Sequence, residues 1–273
     1  GKAGVFNAQS GSETNIIGKD LVVEGGSDTS KNVDIGAADK YLAVDLAGSL
    51  TARTDGNVYI TNANNSNNTN KDLRVTAVYA KETINLTAAK DLLWANSSLA
   101  DSLLTAGKTA NLIAAGTIGT ADAPILVNEN GAVMNADAGS NIYLAGKGTN
   151  GDLVLGTVKA KNGTVEASSE TSLDVGQKMV IAADGTITTP KVNGSVTAAK
   201  SSSLTAGENI NLSGPVKVGT GSDDQSLTLT AAKGGISQTN TDDDTQGLTV
   251  SFLSATSNKG QDLQNLGNSF SNY

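Results

Sequence analysis

The sequence predicts an all-β chain wound as a parallel β-helix. Three observations point there. Short apolar, β-branched runs recur from one end to the other, separated by Gly, Asn, Asp and Ser. Segments of the chain repeat one another at a spacing of about thirty residues. The 273 residues include 31 Gly but only 3 Pro, and aromatics make up 3%. That composition suits strands that hydrogen-bond on both edges around a core too narrow for rings.

In chain order the candidate strands are NIIGKDLVVEG (15–25), YLAVDL (41–46), SLTAR (49–53), NVYIT (57–61), LRVTAVYA (73–80), TINLTA (83–88) and NLIAA (111–115). Next come PILV (124–127), AVMNA (132–136), NIYLAG (141–146), LVLGTVKA (153–160), TVEAS (164–168), SLDVG (172–176), MVIAA (179–183) and TITTPKV (186–192). The series closes with SVTAA (195–199), SLTAG (203–207), NINLSG (209–214), VKVG (216–219), LTLTAA (227–232) and LTVSFL (248–253). Most alternate apolar with small or polar residues, the period of a half-buried strand. Only AKDLLWANSSLADSLLTAG (89–107) reads as a short helix. The Asn-rich TNANNSNNTNKD (61–72) has no apolar face and reads as a protruding loop.

The repeats say how the strands assemble. GAVMNA at Gly131, GTVEAS at Gly163 and GSVTAA at Gly194 begin 32 and 31 residues apart, and each leads into a second strand about ten residues later. A looser copy, GSLTAR, starts at Gly48, and INLTAAKD, INLSGP and LTLTAAKG echo one another further on. A repeat of this size buries its apolar face only against its neighbours, which defines a solenoid. Val, Ile, Leu and Ala would point inward and stack. Gly, Asn and Asp would supply positive φ at the corners. At about 20–31 residues per coil the chain makes roughly 9–13 coils, a rod of ~45–60 Å. The competing arrangement, tandem β-sandwiches of about 90 residues, wants a longer repeat and a regularly placed core Trp. The chain has one Trp. We read residues 1–273 as a single β-helical domain, expected to be a segment of a larger repetitive protein.

Composition also bounds function. With no Cys and no His, thiolate nucleophiles, disulfides, Ser-His-Asp catalysis and ordinary transition-metal sites are excluded. A net charge of −8 repels phosphate backbones, so nucleic acid is not an expected partner. Lys and Arg form no polybasic run, and no apolar stretch approaches the ~20 residues that span a bilayer, so no membrane insertion is expected. The chain opens GKAGVFNAQSG, without Met or a signal peptide. We read it as a mature product or a piece of something longer.

Several residues are candidates for chemistry. Asp223 and Asp224, with Asp242, Asp243 and Asp244, are candidate calcium ligands, because hard cations take carboxylate oxygens from loops. Their spacing fits neither an EF-hand nor a glycine-rich calcium roll, and solvated loops explain them as well. No other cofactor is expected. Asn-x-Ser/Thr triplets occur at Asn64, Asn67, Asn85, Asn96, Asn162, Asn193 and Asn211, a number that chance accounts for in so Asn-, Ser- and Thr-rich a chain. Trp94 is either a sugar-stacking platform or, the blander choice, a loop or capping contact. An enzyme on this scaffold needs converging carboxylates in a groove lined by rings. Nine aromatics spread along the chain, with Arg53 and Arg74, do not supply one, and we expect no enzyme.

Two stretches carry a family likeness. AAGTIGTADAPILVNENGAVMNADAGSNIYLAG (114–146) resembles the repeat region of filamentous-haemagglutinin-like exoproteins, bacterial adhesins exported by two-partner secretion. GQDLQNLGNSFSNY (260–273) is similar to a recurrent segment of that family in which Asn-x-Phe sits at a coil corner. The resemblance implies a right-handed parallel β-helical shaft, secretion across the outer membrane, and a surface or fibre role. The family's secretion domain carries an Asn-Pro motif. None of Pro124, Pro190 and Pro215 follows Asn, so a shaft segment is implied, not the export signal.

The functional expectation is therefore an extracellular shaft or fibre segment of a cell-surface adhesin. The alternative is a module that binds a carbohydrate or a host receptor. A β-helix exposes unpaired strand edges at its first and last coils. No polar cap is evident in the sequence at either end. GKAGVFNAQSG alternates like a strand around Val5 and Phe6, and the chain finishes on Leu266, Phe270 and Tyr273. Both ends are expected to stack, on more of the same polypeptide or on neighbouring subunits.

Overall fold

The computed structural model describes residues 4–8, 13–26, 33–62, 71–95, 103–129, 132–147, 151–177, 180–219, 224–239 and 244–272. Among these residues twenty-five strands form one sheet that winds around an axis, and every strand pairing described within it is parallel. The fold is a parallel β-helix. Among the described residues the only helical turn is the 3-10 turn Asp244–Gln246.

Alternation decides which way each strand faces. In Leu50–Thr54, Leu50, Ala52 and Thr54 are buried while Arg53 is exposed. In Thr83–Ala88, Ile84, Leu86 and Ala88 point inward and Asn85 and Thr87 outward. The inward residues stack in files. One file runs Val5, Ile35, Val58, Ile84, Ala110, Met134, Leu155, Val175, Leu212 and Gln238, each paired in register with the next. Ten rungs at ~4.8 Å each place the ends of this file about 43 Å apart. Apolar residues buried along the axis form one continuous core.

A second file is nearly pure alanine: Ala88, Ala114, Ala138, Ala160 and Ala198, then Val218. It lies where strands end at a corner. There the backbones of successive coils approach closely. A Cβ on Gly139 would lie 1.9 Å from the carbonyl oxygen of Ala115 in the coil before it. Glycine is needed at this corner for space.

Four expectations need correction. The stretch 89–107 holds no helix among its described residues: Leu92–Trp94 and Leu104–Ala106 are strands, and 96–102 lies outside the described residues. The leucines repeat because both strands bury alternate residues. Second, Val180–Ile181 and Ile187–Thr189 do not join the prism. They pair antiparallel as a small hairpin inserted into one coil. Third, Asn and Asp do not take left-handed backbone conformations at the corners. Positive φ among described residues is confined to glycines, such as Gly119 at 68° and Gly176 at 66°. The Asx side chains work differently, as described below. Fourth, the first and last residues of the Asn-rich segment belong to ordered structure. Thr61 and Asn62 end the strand Val58–Asn62, and Asp72 leads into Leu73–Ala80, while 63–70 lies outside the described residues.

Candidate functional site

Several Asp and Asn side chains hold neighbouring coils together. Asp20 accepts hydrogen bonds from the backbone N–H (2.8 Å) and hydroxyl (3.0 Å) of Ser49 in the next coil. These bonds hold its carboxyl below the ordinary range. Asp34 accepts from the N–H (2.7 Å) and Nδ2 (3.1 Å) of Asn57. The same contact recurs from Thr117 N–H to Asp91 (2.7 Å), Thr157 to Asn135 (2.7 Å), Thr164 to Asn141 (3.1 Å) and Gly235 to Asn209 (3.0 Å). In all six the residue before the donor is glycine: Gly48, Gly56, Gly116, Gly156, Gly163 and Gly234. A Cβ there would lie 2.1 to 2.3 Å from the accepting Oδ1. The device is an Asx in one coil and a Gly-X pair in the next. The missing side chain lets the Asx oxygen reach the N–H of X.

Two of the five calcium candidates fall among the described residues. Asp223, Asp242 and Asp243 lie outside the described residues, Asp224 is exposed, and Asp244 opens the 3-10 turn. Among the described residues no three or more acidic groups converge as a metal site would require. Burial pushes the pKa of Asp174 up. Asn211 Nδ2 (2.6 Å) and Gln177 Nε2 (3.3 Å) donate to it and offset part of the rise.

Trp94 is not an exposed sugar platform; it is a buried strand residue whose indole contacts the connecting segment just before the strand Ile125–Glu129. It is only 7% exposed, pairs in register with Val75, and its indole N–H donates to the Pro124 carbonyl at 2.6 Å. It is a core residue with its one polar atom satisfied. Among the Asn-x-Ser/Thr positions, Asn85 and Asn211 are tied into side-chain ladders, while Asn162 and Asn193 are exposed. Asn64, Asn67 and Asn96 lie outside the described residues.

The feature that composition did not reveal is a file of outward side chains on one lateral face. Tyr59, Asn85, Asn111 and Asn135 are successive in-register partners. Tyr41 precedes the pair Leu42–Ile60 and lies beside Tyr59, with ring centroids 5.6 Å apart and planes tilted by 58°. Asn111 Nδ2 donates to Asn85 Oδ1, and Asn135 Nδ2 donates to Asn111 Oδ1, both at 2.8 Å. Burial raises the pKa of both tyrosines, and the charge of Asp34 adds to the rise at Tyr59. The only possible sequence signal was register: residues 24 and 26 apart along the chain meet across coils.

The last coil has an amide cluster inside it. Gln238 occupies the inward file behind Leu212 and is 4% exposed. It exchanges two hydrogen bonds with Asn268, at 2.9 and 2.8 Å, and accepts from Asn265 N–H at 3.1 Å. Asn268 also accepts from Leu248 N–H at 2.8 Å, and Phe270 two residues on packs against the core.

Comparison with protein-family models, curated proteins and solved structures finds no match to this chain.

Proposed function

We propose that the chain is a length of structural shaft from an extracellular bacterial surface adhesin of the filamentous-haemagglutinin type. On this reading it is not an enzyme. It holds an adhesive region away from the cell or builds a filament, and its partners are further coils of the same polypeptide or neighbouring subunits. The observation that carries the proposal is where apolar surface is left open. Of the nine large apolar residues exposed among the described ones, Phe6, Ile17 and Val22 lie in the first coils and Phe252 and Leu266 in the last, while Val180, Ile181 and Ile187 belong to the inserted hairpin and Ile113 to a middle coil. The strands Ile16–Gly18 and Leu21–Glu24 at one end, and Gln261–Asp262 and Ser269–Asn272 at the other, each have a single strand neighbour among those described. Apolar surface beside unpaired strand edges is what a stacking interface presents.

Electron microscopy of the native material tests this. Rods or fibres about one β-helix wide are expected. Globular particles, or a lateral sheet-like assembly with the ends free, would overturn the reading.

A further inference from the structure

We infer that the file Tyr41–Tyr59–Asn85–Asn111–Asn135 is a binding strip for a single extended, uncharged polysaccharide chain lying parallel to the β-helix axis. The inference concerns a lateral face and stands apart from the proposal about the ends.

The argument begins with the amides. A carboxamide has two N–H donors and an oxygen with two lone pairs. In the ladder, Asn111 and Asn135 each spend one N–H on the amide of the coil before. The second N–H of Asn111 and of Asn135 has no part in the ladder, while Oδ1 of Asn135 also accepts from the Thr157 N–H. The ladder also fixes the orientation of each amide, so little rotamer entropy is lost on binding. These residues are half-buried, as are Tyr41 and Tyr59. Their polar edges reach solvent while their bodies are held.

The tyrosines add what an amide row lacks. Two half-buried rings at one end of the row offer apolar area with a hydroxyl handle, the combination found where one ligand is partly apolar and partly polar. The strip spans four coil steps, about 19 Å. A ligand that matches it must be long, must present hydroxyls at regular intervals, and must carry C–H faces for the rings. An extended neutral glycan has all three.

Charge narrows the choice. The file holds no acid or base; its outward neighbours are Thr83, Thr109 and Val133 on one side, and on the other Thr61, Thr87, Ile113 and Asp137, whose carboxylate pairs with Lys161 at 2.9 Å. The chain as a whole carries −8. An anionic polymer is repelled, and a cationic one meets carboxylates only beside the strip, Asp137 paired with Lys161 and Asp34 accepting from Asn57.

The test is affinity gel electrophoresis of the whole chain through gels containing hydroxyethylcellulose, galactomannan or polygalacturonate. At least one neutral polysaccharide is expected to retard the native chain, and polygalacturonate is expected not to. Tyr59→Ala and Tyr41→Ala, each checked for an unchanged circular dichroism spectrum, should weaken retardation about tenfold. Tyr143→Ala, on a strand outside the file, should not change it. The inference is overturned if neither neutral gel retards the native chain, if only polygalacturonate does, or if both tyrosine variants are retarded like the native chain. The native arm alone can overturn it should a variant fail to fold.

Discussion

Asn111 sits in the middle of the amide ladder, and replacing it tests whether side chains as well as backbones hold the coils in register. Asn111→Ala removes two hydrogen bonds, one donated to Asn85 and one accepted from Asn135, each 2.8 Å long. A hydrogen bond contributes a net ~0.5–1.5 kcal/mol. The setting is half-buried, so water reaches the partners left behind and the lower half of that range applies, giving a loss of about 1–2 kcal/mol. Asn85→Ala removes one of these bonds and a 3.5 Å contact to the Val58 carbonyl, so about half that loss is expected. The double variant deletes their shared bond only once. Its loss should fall short of the sum of the single losses by ~0.5–1 kcal/mol. Urea unfolding followed by Trp94 emission and circular dichroism measures all three. Strict additivity, or an Asn111→Ala loss under about 0.3 kcal/mol, would refute the view that the ladder acts as a connected unit.

Further outcomes follow from the corners and from Asp174. Asp91→Ala strands the Thr117 N–H and should cost about 1–2 kcal/mol, whereas Asp91→Asn keeps the accepting oxygen and should retain most of the stability in the same urea assay. Gly139→Ala drives a Cβ into the Ala115 carbonyl and should lose more than about 2 kcal/mol or fail to fold; Gly18→Ala, with nothing within 4 Å, should stay within about 0.5 kcal/mol. Asp174 has a raised pKa in the fold, so its favourable protonated contribution is present below the unfolded carboxylate pKa and is lost as pH rises through the folded value. Asp174→Asn should therefore gain on the native chain in urea midpoint between pH 4 and pH 7, and a constant difference would count against burial as the cause. Trp94 emission should be blue-shifted and protected from iodide quenching, since a red, quenchable signal would contradict its place in the core.

Strand positions were legible because alternation is a local property. Leu50–Thr54, Thr83–Ala88 and Leu153–Ala160 can each be read without knowing what lies beside them. Partnership was not legible. Val180–Ile181 and Ile187–Thr189 look like prism strands because an antiparallel hairpin leaves the same short β-branched runs. The strand Ile236–Gln238 passed unnoticed because its second inward residue is Gln238, a polar side chain whose partners lie 27 and 30 residues ahead. The corner Asx residues were misread for the same reason. In sequence Asp20 falls inside the candidate strand 15–25 and Asp91 inside the candidate helix 89–107, and only the register shows a Gly-X pair one coil later. The outward file was hidden too. Tyr41, Tyr59 and the three asparagines are scattered through almost a hundred residues and become neighbours only when the coils close.

The inserted hairpin has a consequence for what the fold can carry. The step from Leu155 to Val175 takes 20 residues and the next, from Val175 to Leu212, takes 37, yet both advance the file by one rung. Height along the axis is thus independent of chain length. Sequence added at a corner moves sideways, while the files above and below keep their alignment. The turn at Ala182–Thr186 is a natural slot: a peptide placed there would be displayed at a fixed altitude on a rigid post. Several such slots would set the distances between displayed peptides in multiples of the coil spacing, as marks along a ruler.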